Sequence, residues 1–187
     1  KPNVIPKLQF NVNPMRKAIF LFLYLSAFVA FGQENLAIKS STITFKIKNF
    51  GSYVNGFFKG FEGKIYFSPQ NLAQSSIEAS VKTETINTDN KSRDNHLRKS
   101  DYFDVARYPK ITMKSKRFAH SQSGDFIGYF DLTIKDKTQE VKLPFSFKQG
   151  VFKGSFTINR RDFGVGGNSI VLSDMVTVEI EVQTYSK

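Results

Sequence analysis

The sequence predicts an all-β domain built on one long antiparallel sheet, and three observations carry that reading. Apolar and polar residues alternate with period two over most of the chain after residue 40, the mark of half-buried strands. The alternating runs are joined by short stretches rich in Gly, Asn, Asp and Pro, which suit hairpins and therefore an antiparallel arrangement. Only one segment, residues 90–110, suspends the alternation for long enough to hold a helix. A sheet with one apolar face must pack on a second sheet or close on itself, so a sandwich and an up-and-down barrel are both open at this point.

The first 32 residues stand apart. Met15, Arg16 and Lys17 give a charged start, 18–29 form an apolar run, and Ala30 and Gly32 place small residues just ahead of a cut before Gln33. That order reads as an export signal. The competing reading, a membrane anchor, needs about 20 apolar residues, and the run falls short. The expected division is an upstream leader or start-site extension over 1–14, a signal peptide over 15–32 and one domain over 33–187, exported to the periplasm or secreted.

Within the domain, Ile43, Phe45 and Ile47 share one face of the first strand while Thr44, Lys46 and Lys48 share the other. A glycine-rich stretch, 51–63, reads as a turn region around Asn55-Gly56, with Phe57, Phe58 and Phe61 either guarding an entrance or joining the core. Ile65 and Phe67, then Ile77, Ala79 and Val81, continue the pattern. After the helical segment come Ile111 and Met113, then Gly128, Phe130, Leu132 and Ile134. A hairpin at Asp136-Lys137-Thr138 leads to Val141, Leu143, Phe145 and Phe147, where Pro144 suits an edge or bulge. Phe152, Gly154, Phe156 and Ile158 follow, and Val176, Val178, Ile180 and Val182 close the set. That makes about eight strands and one short helix.

The helix is allowed from Lys91 to Ser100, where there is no Pro or Gly, and Thr88, Asp89 and Asn90 can all cap its start. Asp94 and Arg98 stand at i and i+4 with the acid first, the favourable order for a pair. Leu97 is its natural anchor onto the sheet, with Tyr102, Phe103 and Val105 beyond, and Pro109 pushes Tyr108 into an extended conformation.

Composition removes several classes of chemistry. With no cysteine among 187 residues there is no disulfide, thiolate metal site or cysteine nucleophile. His96 and His120 are the only histidines, which excludes a histidine-rich metal site. Ser92, Asp94 and His96 superficially suggest a hydrolase triad, but helical spacing brings such triplets onto one face by accident and no glycine elbow accompanies them. Arg93, Asp94 and His96 are read instead as clamps of the helix to the rim, with direct contact to a ligand head group as the alternative. Asn159-Arg160-Arg161-Asp162 could hold a phosphate, but such a cluster more often pairs with nearby acids, which is the favoured reading.

The formal net charge is +11, and the part after residue 32 keeps +7 of it, 23 basic residues against 16 acidic. Small barrels with basic grooves can bind single-stranded nucleic acid. Here Lys46, Lys48, Lys82, Lys114 and Lys142 are spread over outward strand positions, which argues against that partner. The charge fits transient contact with an anionic membrane surface better.

Several motifs together resemble one family. Arg93-Asp94-Asn95-His96-Leu97-Arg98, Asp101-Tyr102-Phe103-Asp104-Val105 and Tyr108-Pro109-Lys110-Ile111 are similar to the signature of the YceI-like bacterial polyisoprenoid-binding proteins. Val54-Asn55-Gly56-Phe57-Phe58, Gly128-Tyr129-Phe130-Asp131-Leu132-Thr133-Ile134-Lys135 and Phe156-Thr157-Ile158-Asn159-Arg160 agree in order, so the resemblance spans about 36–182. Asp136 departs from it, standing where the family usually has Gly. The resemblance implies an exported, lipocalin-like, up-and-down barrel that holds a long isoprenoid such as a prenyl quinone or phenol, without catalysis, metal or cofactor. Its ligand contacts are then expected at Phe45, Ile47, Phe58, Ala79, Arg93, His96, Leu97, Phe103, Phe130, Leu132, Phe156, Ile158 and Phe163. Gly128 and Gly154 should leave room beside them. An enzyme acting on the isoprenoid and a solidly filled interaction module are the alternatives, and the oligomeric state is open, a homodimer included.

Overall fold

Period-two alternation becomes one nine-stranded antiparallel sheet in the computed structural model, which describes residues 1, 2 and 35–185. The leader and signal peptide expected over 1–14 and 15–32 lie outside the described residues, save for the first two. The strands are β1 (Ile38–Asn49), β2 (Ser52–Phe58), β3 (Glu62–Tyr66), β4 (Ser76–Lys82), β5 (Lys110–His120), β6 (Phe126–Ile134), β7 (Lys137–Lys148), β8 (Val151–Asn159) and β9 (Leu172–Thr184). The one α-helix among the described residues, α1 (Lys91–Leu97), lies between β4 and β5.

From β3 to β9 each strand pairs with the next, and β9 pairs with β1, so the ribbon runs up and down and returns to its start. The seam falls between β2 and β3. It is stitched at both ends by chain that is not strand. Leu36 donates its amide to the carbonyl of Ile65 at 2.8 Å, and the Ile65 amide reaches Asn35 Oδ1 at 2.9 Å. At the other end the Phe57 and Asn87 backbones exchange hydrogen bonds of 2.9 and 3.1 Å, and the Lys59 amide donates to Thr85 Oγ1.

The extra strand is β2, which the glycine-rich composition had disguised as a turn. Asn55-Gly56 lies inside it, and Gly56 is needed because the ring of Phe45, its cross-strand partner, lies where a Cβ would stand. The turn is instead Phe50-Gly51, with φ of 48° and 78°. Both are left-handed, as a two-residue type I′ hairpin requires. Pro144 also finds its reason: the β7–β8 ladder runs only from Phe145↔Gly154 to Lys148↔Val151, so the missing amide stands just where the two strands part.

From β3 to β9 antiparallel order sends alternate connections to opposite ends, and β1, antiparallel to β9, finishes where β9 starts. One end carries the turns at 67–75, 121–125 and 149–150, and the other carries the β1–β2 hairpin, the 83–109 connection with α1, the 135–136 turn and the 160–171 loop. The first end is packed solid. Phe67 meets Phe118, Phe126, Phe145, Phe147 and Phe152 at ring-centroid distances of 5.1 to 5.5 Å, all edge-on. Such tilted geometry suits aromatic quadrupoles. The interior is therefore filled on one half of its length and not on the other.

Candidate functional site

The unfilled half is a cavity of about 850 Å³. Its wall is the inward face of the alternation: Ile43, Phe45 and Ile47 from β1, Ala79 and Val81 from β4, Ile111 and Met113 from β5, Leu132 and Ile134 from β6, Phe156 and Ile158 from β8, and Val176, Val178 and Ile180 from β9. Phe45, Phe58 and Phe103 stand in a row along one side, with successive centroids 5.6 Å apart. Phe58 belongs to β2 and Phe103 to the connection after α1, so this row covers the seam from within.

The mouth is polar on one side, where α1 brings Asn90, Ser92, Arg93, Asn95, His96 and Lys99 to it. The helix is capped at its start and tethered at its end. Asn90 accepts the Arg93 amide at 3.0 Å as N-cap, and Arg98, at the C-cap, donates its guanidinium to the carbonyls of Glu84 and Ile86 and to Asn95 Oδ1. The expected Asp94–Arg98 pair is therefore not formed. Asp94 turns inward and is buried, accepting from the Thr88 amide and hydroxyl. The Thr88 hydroxyl in turn accepts from Arg93 Nε at 2.7 Å, and Arg93 also donates to the Thr88 carbonyl.

His96 takes a different partner. Its Nε2 lies 3.0 Å from Asp101 Oδ2, with both side chains more than half exposed, and its ring meets Tyr102 edge-on. The hydrogen bond from His96 holds the Asp101 carboxyl below its usual range. The Ser92, Asp94, His96 triplet does not assemble as a triad, because Asp94 is spent on Thr88 and His96 on Asp101. Among the described residues no group of three or more His, Asp or Glu side chains is placed to hold a metal ion.

Across the mouth the 160–171 loop is organised from inside by Arg160, which is 4% exposed. Its guanidinium donates to the carbonyls of Val165, Gly167 and Ser173 and to Asp174 Oδ1 at 2.8 Å. Arg161 joins the same carboxylate at 3.5 Å. Of the two sequence readings of this cluster, the structure gives pairing with an acid. Lys135 staples the loop to the helix connection through the carbonyls of Gly164 and Ser100.

Phe45, Ile47, Phe58, Ala79, Arg93, His96, Leu97, Phe103, Leu132, Phe156 and Ile158, all expected at the site, line the cavity. Phe130 and Phe163 do not. Both are 2% exposed: Phe130 lies deeper, packed on Phe118, and its ring folds over Gly128. Phe163 is buried in the short 3-10 turn Arg160–Phe163 that packs against β7 and β9. Gly128 and Gly154 accordingly leave no room, since a Cβ on Gly154 would stand 2.7 Å from the Pro144 carbonyl oxygen. Of the three clustered phenylalanines, Phe58 and Phe61 line the cavity, whereas Phe57 faces out beneath the Lys59 ammonium. Of the lining residues not expected, Ile43 and Ile134 share a strand face with expected ones, and Val178 of β9 is the cross-strand partner of Phe45 and Phe156.

A YceI-like domain model matches residues 35–184. A UPF0312 protein of Vibrio cholerae is 27% identical over 158 residues, covering 79% of this chain and 82% of its own. One from Pseudomonas aeruginosa is 30% identical over 135 residues, covering 66% and 70%. Among solved structures, Burkholderia cenocepacia BcnA aligns with a TM-score of 0.75 at 23% identity over 81% of this chain and 100% of its own. A polyisoprenoid-binding domain from Saccharophagus degradans aligns with a TM-score of 0.57 at 14% identity over 82% and 98%. With the family match running from the stitch at Asn35 to the end of β9, this chain belongs to the YceI-like family.

Proposed function

We propose that this protein binds a long-chain isoprenoid lipid of the prenyl quinone or phenol type, tail in the cavity and head at the α1 side of the mouth, and carries or stores it in the cell envelope. One observation carries the reading: a barrel closed by phenylalanines at one end is hollow at the other, with apolar walls and polar groups confined to the lip. About 850 Å³ lies towards the upper end of ordinary ligand pockets, about 300–1,000 Å³. At about 0.8 kcal/mol per buried methylene, three isoprene units of about fifteen carbons gain about 12 kcal/mol, against about 8 for a micromolar Kd. The tail alone therefore supplies enough to cover the cost of ordering it.

The lip favours an uncharged head. Arg93 and Arg160, the two guanidiniums there, are committed to Thr88, to loop carbonyls and to Asp174. Among the described residues, what remains there includes Asn49, Asn90, Ser92, Asn95, His96, Tyr102 and Ser169 with one ammonium at Lys99, a set suited to carbonyl and hydroxyl oxygens more than to a diphosphate, which calls for guanidinium forks. The polyisoprenoid-binding description of the Saccharophagus degradans neighbour supports the same class of ligand. The test is organic extraction of the purified protein followed by mass spectrometry. A near-stoichiometric isoprenoid is expected; repeated preparations free of any isoprenoid would overturn the reading.

A further inference from the structure

Five large apolar side chains stand exposed among the described residues: Phe50 (76%), Tyr53 (63%), Ile170 (105%), Met175 (52%) and Tyr185 (58%). Exposed apolar groups scattered singly need no explanation, but grouped ones do. Four of these five share one corner of the cavity mouth. Phe50 is the tip of the β1–β2 hairpin, and its amide donates to the Val171 carbonyl at 2.9 Å, so Ile170 stands at the neighbouring tip. Tyr53 is paired with Lys48, and the Lys46 ammonium sits 4.6 Å from the centre of its ring. Met175 lies on the adjoining outer face of β9, one residue before Val176, the partner of Ile47. Ile47, Asn49 and Val171 line the cavity, so this corner is its lip.

The residue at the hairpin tip is out of keeping with its backbone. The first position of a type I′ turn favours Asn, Asp or Gly, and a phenylalanine there at φ 48° buries little of its ring. The charge on the β1–β2 hairpin has one sign. β1 and β2 contain no acid, and Asp174, the carboxylate nearest in sequence to Met175, is taken up by Arg160 and Arg161.

We infer that Phe50 and Ile170 enter the surface of a bilayer containing anionic lipid, with Tyr53 at head-group depth and Lys46 and Lys48 against the lipid phosphates. Aromatic and aliphatic tips flanked by lysines match the layered polarity of that interface. A second copy of this chain is a poorer occupant, because a two-fold contact would bring each basic corner against its own image. The inference rests on the lipid-binding reading above: contact at this corner sets the open lip on the surface from which a lipid is drawn.

The chain has no tryptophan, so single reporters read each place without background. Phe50→Trp, Ile170→Trp and, at the opposite end, Tyr185→Trp are mixed with phosphatidylcholine vesicles carrying brominated acyl chains and increasing phosphatidylglycerol. Quenching and a blue shift are expected at positions 50 and 170, rising with phosphatidylglycerol, and not at 185. In the Phe50→Trp background, Lys46→Glu with Lys48→Glu should weaken the vesicle response at least about tenfold and leave uptake of a fluorescent prenyl probe, measured without vesicles, unchanged. Quenching nowhere, equal quenching at 185, or quenching indifferent to phosphatidylglycerol overturns the inference. Binding of the variants to an acidic protein in place of vesicles does the same. Failed probe uptake with intact quenching at 50 and 170 sinks the lipid-binding reading and leaves the bilayer contact standing.

Discussion

Asp94 accepts two hydrogen bonds through a single oxygen from Thr88, from its amide at 2.9 Å and from its hydroxyl at 2.6 Å, with both residues buried. The pair ties the strand-like approach to α1 onto the helix itself. Asp94→Ala leaves the buried Thr88 amide without its acceptor, which costs about 1–3 kcal/mol. Thermal unfolding followed by circular dichroism should show the corresponding fall in Tm; an unchanged Tm would mean that the pair does not hold the helix in place.

Phe67 is the hub of the filled end, and Phe67→Ala should cost about 3–5 kcal/mol. The cavity lies in the other half of the barrel, so the lipid recovered per folded molecule should stay as in the parent. Denaturant titration and extraction together test this, and a loss of lipid without a loss of stability would contradict the division of the interior.

Ala79 is the smallest side chain on the cavity wall. Ala79→Phe should lower the extractable lipid severalfold while the midpoint of thermal unfolding is kept. Gly128→Phe is predicted to fail differently, by losing the fold, because the Phe130 ring already occupies the space beside that glycine. Quantitative mass spectrometry with circular dichroism on both variants separates the two outcomes.

Arg160→Lys keeps the charge and loses the fork. One ammonium cannot reach the four carbonyls and the carboxylate that the guanidinium serves, and about 2–4 kcal/mol should be lost. Hydrogen exchange should rise selectively over 164–171; uniform exchange would argue that the loop is held by other contacts.

The carboxyls of Glu62, Glu78, Glu140 and Asp101 are held below their usual range by hydrogen bonds from Lys110, Lys114, Lys116 and His96. A depressed folded pKa contributes stability above the unfolded value and loses it as pH falls through the folded one. Tm should therefore hold on acidification until about pH 4 and then decline. All four groups are exposed, so the decline should be shallow and should shrink in about 1 M salt. Lys114 and Lys116 are raised, by Glu78 and by Glu140 with Asp131, and their contributions last until pH passes 10.5. A steep salt-insensitive fall near pH 6 would point to a different group.

Which face of each strand points inward was legible from alternation, and nearly every strand residue on the cavity wall follows from it. How deep each position lies was not. Phe130 and Phe156 obey the same pattern, yet one packs into the filled half and the other lines the cavity, since period two reports side and not height. A signal was present: Phe118, Phe126, Phe145, Phe147 and Phe152 all flank the two turns remote from the helix, at 121–125 and 149–150. Strand β2 was hidden because Asn55-Gly56 has hairpin chemistry, while the hairpin itself carries a phenylalanine. The motif around α1 marked the mouth correctly, but its charges pair by three-dimensional proximity, Arg98 with carbonyls and Asp94 with Thr88, where helical spacing suggested each other.

The phenylalanine stopper gives the cavity a floor at a fixed depth. With that end blind, a chain entering at the lip cannot thread through the barrel and out beyond Phe67. The stopper also makes the barrel a ruler: an occupant longer than the distance from lip to Phe67 must fold back or trail into the surroundings, and its length is read at the threshold.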